Sequence, residues 1–203
     1  VLAGGRARRF GGHDKALLLI EGRPIIERQL EAFRALTPHV LIVANDAARY
    51  EAFGAPVVPD AVVGVGPLGG LYTALLRVST PHVVVVACDM PHVDAHFLGF
   101  LARVGRDAEA AVPRTADGWH PLCAAYASAC AGRLRARLDA GQLKVADALT
   151  DHDVRELGPA ATTPGGQSDP FEPDDRPGYE VEVPPEGTGG APYLRYLDPG
   201  DVD

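Results

Sequence analysis

The chain opens with the run VLAGGRARRFGGHDKAL over residues 1–17. Small apolar residues lead into a glycine pair, three arginines follow, and a second glycine pair precedes Asp14 and Lys15. Glycine lets the backbone approach a ligand closely, and consecutive N–H groups in such a turn bind anions. Arginine and lysine add fixed positive charge for phosphate. These residue types predict a nucleotide-phosphate loop where a first strand ends; the alternative is a solvated basic loop.

This loop differs from two common phosphate-binding motifs, since it contains neither G-x-x-x-x-G-K-[ST] nor G-x-G-x-x-G. Its three arginines cannot all face one ligand. We expect Arg9 to contact the ligand, and Arg6 and Arg8 to lie on the surface. Lys15 is placed to offset the charge that develops on a transferred phosphoryl group, the alternative being an ordinary solvated lysine.

Two parts of the 203-residue chain differ in composition. Residues 1–157 carry 17 basic and 17 acidic side chains, whereas residues 158–203 carry 2 and 10, which accounts for the net charge of −8. Proline and glycine supply 17 of these last 46 residues. We therefore predict one folded domain over 1–157 and a Pro/Gly-rich, partly disordered acidic extension over 158–203. A neutral body with an acidic tail argues against nucleic-acid binding.

The sequence also bears on compartment and completeness. No apolar run approaches the roughly 20 residues of a membrane span, so no membrane contact is expected. Three cysteines without CxxC spacing indicate reduced thiols in a cytoplasmic protein. The sequence lacks an initiator Met and places only three apolar residues before the glycines, whereas a buried strand usually needs about 5. We therefore expect that several residues precede Val1 in the natural chain.

Short apolar runs alternate with amphipathic segments, which predicts an α/β protein with a mainly parallel sheet. Asn45 and Asp46 are expected to cap a short helix that ends near Gly54, and the alternating residues 179–183 to form an isolated strand. Strands are predicted at residues 1–3, 40–44, 57–58, 82–88, 110–113, 122–126 and 154–157, and helices near 24–37, 71–78, 94–104, 128–140 and 144–150.

In sheets of this kind, ligands bind at the carboxyl ends of the strands. Asp89 follows the strongest predicted strand, where its carboxylate can hold Mg²⁺ that bridges nucleotide phosphates. The alternative role of Asp89, a helix N-cap, is met better by Asp94. The loops after the other strands carry Gly4 and Gly5, Asn45, and Asp60.

Five stretches of the sequence match a known family. The opening run resembles the Leu-Ala-Gly-Gly signature, with its later Arg-Phe-Gly and Lys, of nucleotidyltransferases with a Rossmann-like fold. The further stretches are Asp60, Gly66–Gly70 (GPLGG), Cys88–Pro91 (CDMP) and His120–Leu122 (HPL). Together they are most similar to the molybdenum cofactor guanylyltransferases of the MobA-like NTP transferase family, over residues 1 to about 150. The glycine pair and the CDMP run favour guanylyl over cytidylyl transfer.

The resemblance implies that residues 1–157 form a nucleotidyltransferase domain with a Rossmann-like three-layer fold. It further implies transfer of GMP from GTP to Mo-molybdopterin, with Mg²⁺ as cofactor. The products would be the guanine dinucleotide cofactor and pyrophosphate. It also implies transient contact with other cofactor-biosynthesis proteins or molybdoenzymes. The implied contacts are the backbone of Leu2, Ala3, Gly4 and Gly5 with GTP, Lys15 and Arg9 with phosphates, Asn45 and Asp60 with the nucleoside, and Asp89 with the metal.

Two other functions fit the same residues. One is a related transferase that uses CTP or another phosphorylated acceptor. The other is a nucleotide-binding protein without catalytic activity, which delivers cofactor or partners an enzyme.

Overall fold

The computed structural model describes residues 1–3, 14–115, 118–158, 179–182 and 193–196. Gly4, Gly5 and Arg9, predicted to bind the nucleotide, lie outside the described residues, as do Arg6 and Arg8. The strands are β1 (Leu19–Ile20), β2 (Arg23–Pro24), β3 (Ile42–Val43), β4 (Val57–Val58), β5 (His82–Val86), β6 (Ala110–Thr115), β7 (Gly118–Trp119), β8 (Cys123–Ala127), β9 (Val154–Leu157), β10 (Tyr179–Glu182) and β11 (Tyr193–Tyr196). The α-helices are α1 (Ile25–Arg34), α2 (Pro67–Arg77), α3 (Ala95–Val104), α4 (Ala131–Asp139) and α5 (Val145–Ala148), and 3₁₀ turns cover Lys15–Leu17, Ala47–Arg49, Glu51–Phe53, Gly105–Asp107, Ser128–Cys130 and Leu149–Asp151.

Leu2 joins the strands on either side of it. It forms parallel bridges with Val43 on one side and Ala87 on the other. The Leu2 N–H donates to the Val86 carbonyl at 2.8 Å, and the Ala3 N–H donates to the Val43 carbonyl at 2.9 Å. With the ladders of the remaining strands, the order across the sheet becomes β4, β3, Leu2, β5, β8, β6 and β9.

Strand β8 runs against the common direction, because it is antiparallel to both β5 and β6. Strands β3 and β4 are parallel to each other, as are β6 and β9. The seven residues between β6 and β8 are too few for a parallel crossover, which needs about a dozen. The α/β prediction is confirmed, and the sheet is mixed, with a parallel majority.

Helices cover both faces of this sheet. On one face, α1 and α3 pack against Val86, Ala111 and Ala125. On the other, α2 and α4 pack against the sequence neighbours of those residues, including Val85 and Ala124. Successive strand residues point to opposite faces, so strands that are apolar at every position need two helical layers. This is the three-layer arrangement that the resemblance implied.

Two local predictions differ from the structure. Asp46 precedes the 3₁₀ turn at Ala47–Arg49 but makes no capping side-chain bond, and the Asn45 amide turns instead to Asp60. The strand predicted at residues 179–183 is not isolated, since β10 pairs with β11 in an antiparallel ladder. The boundary at residue 157 stays a prediction. None of the helices in the described ranges has the length and apolar character to cross a bilayer.

Gly105 allows a close approach between the end of α3 and the sheet. A Cβ atom there would lie 2.5 Å from the Cβ of Ala125 in β8, a side chain that cannot turn away. We expect Gly105→Ala to lower the free energy of unfolding by about 1–3 kcal/mol. Gly132→Ala in α4 is the matched control, because its Cβ would meet nothing within 4 Å and alanine favours helix. Chemical denaturation measures both; equal stability of the two variants would contradict the packing argument.

Candidate active site

A crevice of about 230 Å³ lies where the central strands end. Five residues predicted from the sequence line it: Leu2, Ala3, Lys15, Asp60 and Asp89. Because parallel strands present their carboxyl ends at one edge of the sheet, loops that are distant in sequence converge there. The lining is completed by Asp14, Val43, Gly66, Pro67, Gly70, Ala87, Cys88 and Leu122.

Lys15 and Asp89 face each other across this crevice. The Lys15 Nζ lies 3.7 Å from an Asp89 carboxylate oxygen, with side chains 38% and 41% exposed. Lys15 opens the 3₁₀ turn after Asp14, and Asp89 lies three residues beyond the end of β5. Solvent screens a pair this exposed, so its contribution to stability is small. The arrangement leaves both charges accessible to a ligand.

Asp14 is held in place by several groups. Its carboxylate accepts from the Ala16 N–H at 3.1 Å, and Arg49 lies 3.6 Å away. The buried Tyr50 hydroxyl is close to both the Asp14 carboxylate and, at 3.1 Å, the Ala3 carbonyl. Burial, and next the bond with Asp14, raises the pKa of Tyr50 far above its usual value. Tyr50 therefore remains a neutral donor that ties the Lys15 turn to the central strand.

Asp60 is supported by Asn45. The Asn45 Nδ2 donates to the Asp60 carboxylate at 2.7 Å, and the Asp60 N–H donates to the Asn45 Oδ1 at 3.0 Å. Both polar atoms of the Asn45 side chain are thus engaged, and Asn45 is not among the lining residues. The structure places Asn45 behind Asp60 rather than in the crevice.

The first turn of α2 forms another wall. Gly66 precedes the helix with a φ of 72°, and Pro67 occupies the first helical position. A Cβ on Gly70 would contact both Leu2 and, at 3.8 Å, the Asp60 carboxylate. The positive end of a helix dipole thus borders the crevice, which favours an anionic ligand.

Cys88 also lines the crevice but is unsuited to nucleophilic chemistry. Burial, and then the neighbouring Asp89 charge, raises the pKa of its thiol to about 12. The thiol stays protonated near pH 7, whereas the thiolate is the reactive form. In the described part of the chain, no group of three His, Cys, Asp or Glu side chains could hold a metal by itself.

Sequence reasoning missed several contributors to this site. Gly66, Pro67 and Gly70 lie in the quoted GPLGG stretch, but nothing in that stretch indicated which residues reach the crevice. Tyr50 gave no signal, because its partners Ala3 and Asp14 are distant in sequence. The roles assigned to the predicted residues stay predictions.

Comparisons with known proteins agree with this fold. The profile of the MobA-like NTP transferase domain matches residues 1–154. A Clostridium perfringens protein named "Probable molybdenum cofactor guanylyltransferase" is 34% identical over 130 residues, 64% of this chain. The chain spans 65% of that relative's length. A Shewanella halifaxensis protein named "Molybdenum cofactor guanylyltransferase" is 36% identical over 149 residues, with 71% of this chain and 74% of the relative covered.

A solved structure shares the fold. Molybdopterin-guanine dinucleotide biosynthesis protein A from Archaeoglobus fulgidus superposes with a TM-score of 0.65 and 28% identity, covering 77% of this chain and 80% of that one. The fold and the sequence matches define a nucleotidyltransferase domain. The chain belongs to the MobA-like NTP transferase family, which confirms the resemblance seen in the sequence.

Tyr50→Phe tests the tie between the Lys15 turn and the central strand. The hydroxyl has one proton, which the Asp14 carboxylate and the Ala3 carbonyl share as acceptors. Its removal leaves both oxygens without that donor, so we expect a loss of about 1–3 kcal/mol in the free energy of unfolding. Chemical denaturation at pH 7 measures it. A stability within 0.5 kcal/mol of the wild type, roughly the range of a neutral surface substitution, would show that the tie is unimportant.

Proposed function

We propose that this chain transfers GMP from GTP to the terminal phosphate of Mo-molybdopterin, and that pyrophosphate leaves. An oxygen of the acceptor phosphate attacks the α-phosphorus, and the bond from that phosphorus to the oxygen bridging the α- and β-phosphates breaks. The acceptor phosphate is already ionised near pH 7, so no general base is required. The task of the protein is then positioning and charge stabilisation. The names of the relatives support guanylyl transfer.

The observation that carries this proposal is the position of Lys15 and Asp89 in one crevice, with the Lys15 Nζ 3.7 Å from an Asp89 carboxylate oxygen. A lysine and an aspartate on opposite walls of one crevice can attend the two parts of a metal–triphosphate: the phosphate oxygens and the cation. Lys15 would approach the phosphates, and its charge would stabilise the transition state. The Leu2 and Ala3 backbone would contact the nucleotide, and Arg9 would add to the phosphate contacts.

The described residues fit a divalent cation. Asp14, Asp60 and Asp89 put three carboxylates on the crevice lining against the single ammonium group of Lys15, counting the described lining residues. A divalent cation would offset this excess of negative charge beside the phosphates. Magnesium in nucleotide sites takes one or two carboxylates together with phosphate and water oxygens, which matches an accessible Asp89. Bound Mg²⁺ would neutralise phosphate charge there. Asp14 is already committed to its own partners.

Asp60 and its supporting Asn45 would hold the nucleoside end. The guanine edge presents N–H donors, and a carboxylate is an acceptor with room for more than one donor. Only one Asp60 oxygen receives the Asn45 amide. Asn45 would thus act through Asp60 rather than by direct contact.

Asp89→Asn and Asp89→Ala should reduce pyrophosphate release from GTP and molybdopterin by at least about 100-fold, since both remove the metal-binding charge. The control is Asp107→Asn, which removes an exposed carboxylate outside the crevice. Turnover is followed with a coupled pyrophosphate assay at saturating Mg²⁺. Wild-type turnover in the Asp89 variants would refute the metal assignment, and no turnover in the wild type would refute the proposed reaction.

Asp60→Asn tests nucleotide selection. Replacing one acceptor by a donor at the guanine edge should weaken GTP binding by about 1–3 kcal/mol, while CTP binding should change less. Calorimetry with GTP–Mg²⁺ and CTP–Mg²⁺ measures both. Tighter binding of CTP than of GTP by the wild type would favour a cytidylyl transferase instead.

A further inference from the structure

Two fully buried polar side chains lie behind the crevice, one on each side of it. Among the described residues the buried polar side chains are Gln29, Thr73 and Thr115, and only Gln29 and Thr73 are 0% exposed. Gln29 belongs to α1 and Thr73 to α2. Burying a polar group is costly unless its hydrogen bonds are made. The hydrogen-bond partners of these two residues therefore indicate which parts of the structure they stabilise.

Gln29 binds both ends of the turn that contains Asp89. Its Nε2 donates to the Ala87 carbonyl at 2.8 Å and to the Met90 carbonyl at 2.9 Å. The Ala87 N–H donates to Leu122 in the sheet, and the carbonyl of the same residue receives Gln29. The amide orientation is defined, because the opposite one would bring an oxygen against two carbonyl oxygens.

The Oε1 of Gln29 is buried and has no hydrogen-bond partner among the described residues. The helix therefore tolerates an unsatisfied acceptor in order to supply two donors to the Asp89 turn. An apolar residue at this position would suit the buried face of α1, which otherwise carries Ile25, Ile26, Leu30, Ala32 and Phe33.

Thr73 in α2 corresponds to Gln29 on the other side of the crevice. Its Oγ1 accepts from the Ala61 N–H at 2.9 Å and donates to the Gly69 carbonyl at 2.7 Å. Ala61 follows Asp60 directly, so Thr73 ties the Asp60 turn to the first half of α2. Asp60 and Asp89 thus both lie beside backbone that a fully buried polar side chain holds.

We propose that Gln29 and Thr73 are positioning residues with separate tasks: Gln29 fixes Asp89 for the metal, and Thr73 fixes Asp60 for the nucleoside. This assignment rests on the proposed function. Neither residue lines the crevice, so each acts through the turn that it holds. Partners behind a metal ligand typically change metal affinity by 10–100-fold when they are removed.

Gln29→Met and Thr73→Val test this division, because both keep the shape and remove the polar groups. Leu149→Ala is the control for stability alone, since Leu149 is buried in the core and does not line the crevice. Binding of Mn²⁺ in the presence of GTP is measured by electron paramagnetic resonance without acceptor, GTP binding without metal by calorimetry, and folding by thermal unfolding. Pyrophosphate release then gives kcat and KM.

For Gln29→Met we expect Mn²⁺ affinity in the presence of GTP to fall by about tenfold or more, with metal-free GTP affinity within about twofold of the wild type. For Thr73→Val we expect the GTP affinity to fall, and the KM for GTP to rise, by about fivefold or more, the effect of losing roughly one net hydrogen bond. Mn²⁺ binding to the GTP complex should be unchanged. Leu149→Ala should lower the melting temperature and leave both affinities within about twofold.

Gln29→Glu provides a second readout. A buried glutamate has a raised pKa and, once protonated, donates one hydrogen bond. Its Mn²⁺ affinity relative to the wild type should therefore rise as the pH is lowered from 8 to 6. A purely structural role would require the melting temperature to rise together with the affinity over the same pH range, so thermal unfolding at each pH is the control. This variant also serves if Gln29→Met fails to fold.

The outcomes separate the two proposals. If the wild type binds Mn²⁺–GTP but releases no pyrophosphate, the proposed reaction fails and the division of tasks is judged on binding alone. If the wild type is active and the Gln29 and Thr73 variants behave like Leu149→Ala, the division fails and the reaction stands. If the wild type binds no Mn²⁺ with GTP, both are overturned.

Discussion

Backbone pairing on both sides of Leu2 is the constraint on which the site depends. Leu2 accepts from the Cys88 N–H at 3.0 Å, and Val43 donates to the Val1 carbonyl at 2.9 Å. These bonds place β3 on one side of the opening segment and the strand before Asp89 on the other, and β4, which pairs with β3, leads to Asp60. Neighbouring strands are about 5 Å apart, so three loops from separate parts of the chain border one crevice. The carboxylates converge because of this pairing, although like charges disfavour it.

The charge arrangement follows from that convergence. The described carboxylates of the crevice suit a cation–phosphate complex, because a cation between them and the phosphates offsets the like charges. The three carboxylates are not equivalent, because Asp14 is bound by Tyr50 and the Ala16 N–H, and Asp60 is bound by Asn45. Asp89 has the Lys15 ammonium group opposite it. The hydrogen-bond partners thus distinguish a carboxylate held by Tyr50, a carboxylate held by Asn45 and one that faces an ammonium group.

Much of this arrangement could be predicted from local pattern. The valine run of β5 followed by Asp89, and the glycine-rich opening followed by Lys15, each need only a few consecutive residues to be recognised. The reversal of β8 could not be predicted from the apolar run at Cys123–Ala127, since strand direction depends on connection length and on which strands pair. Asn45 is expected at the ligand because it follows a strand, like Asp60 and Asp89. Its amide instead pairs with Asp60, since the parallel alignment of β3 and β4 brings the two residues together. The local sequence does not show which remote residue such a side chain will pair with.

Gln29 shows what signal such partners can leave. It interrupts the apolar face of α1 with a polar side chain, and the helical spacing alone places it inward. A buried amide on an otherwise apolar helix face must satisfy its donors, so it must meet backbone carbonyls that the sheet does not use. Such carbonyls occur where a strand ends, and strand ends are where α/β proteins bind ligands. An inward polar residue on a helix that packs against the sheet is therefore evidence about a loop at the active site.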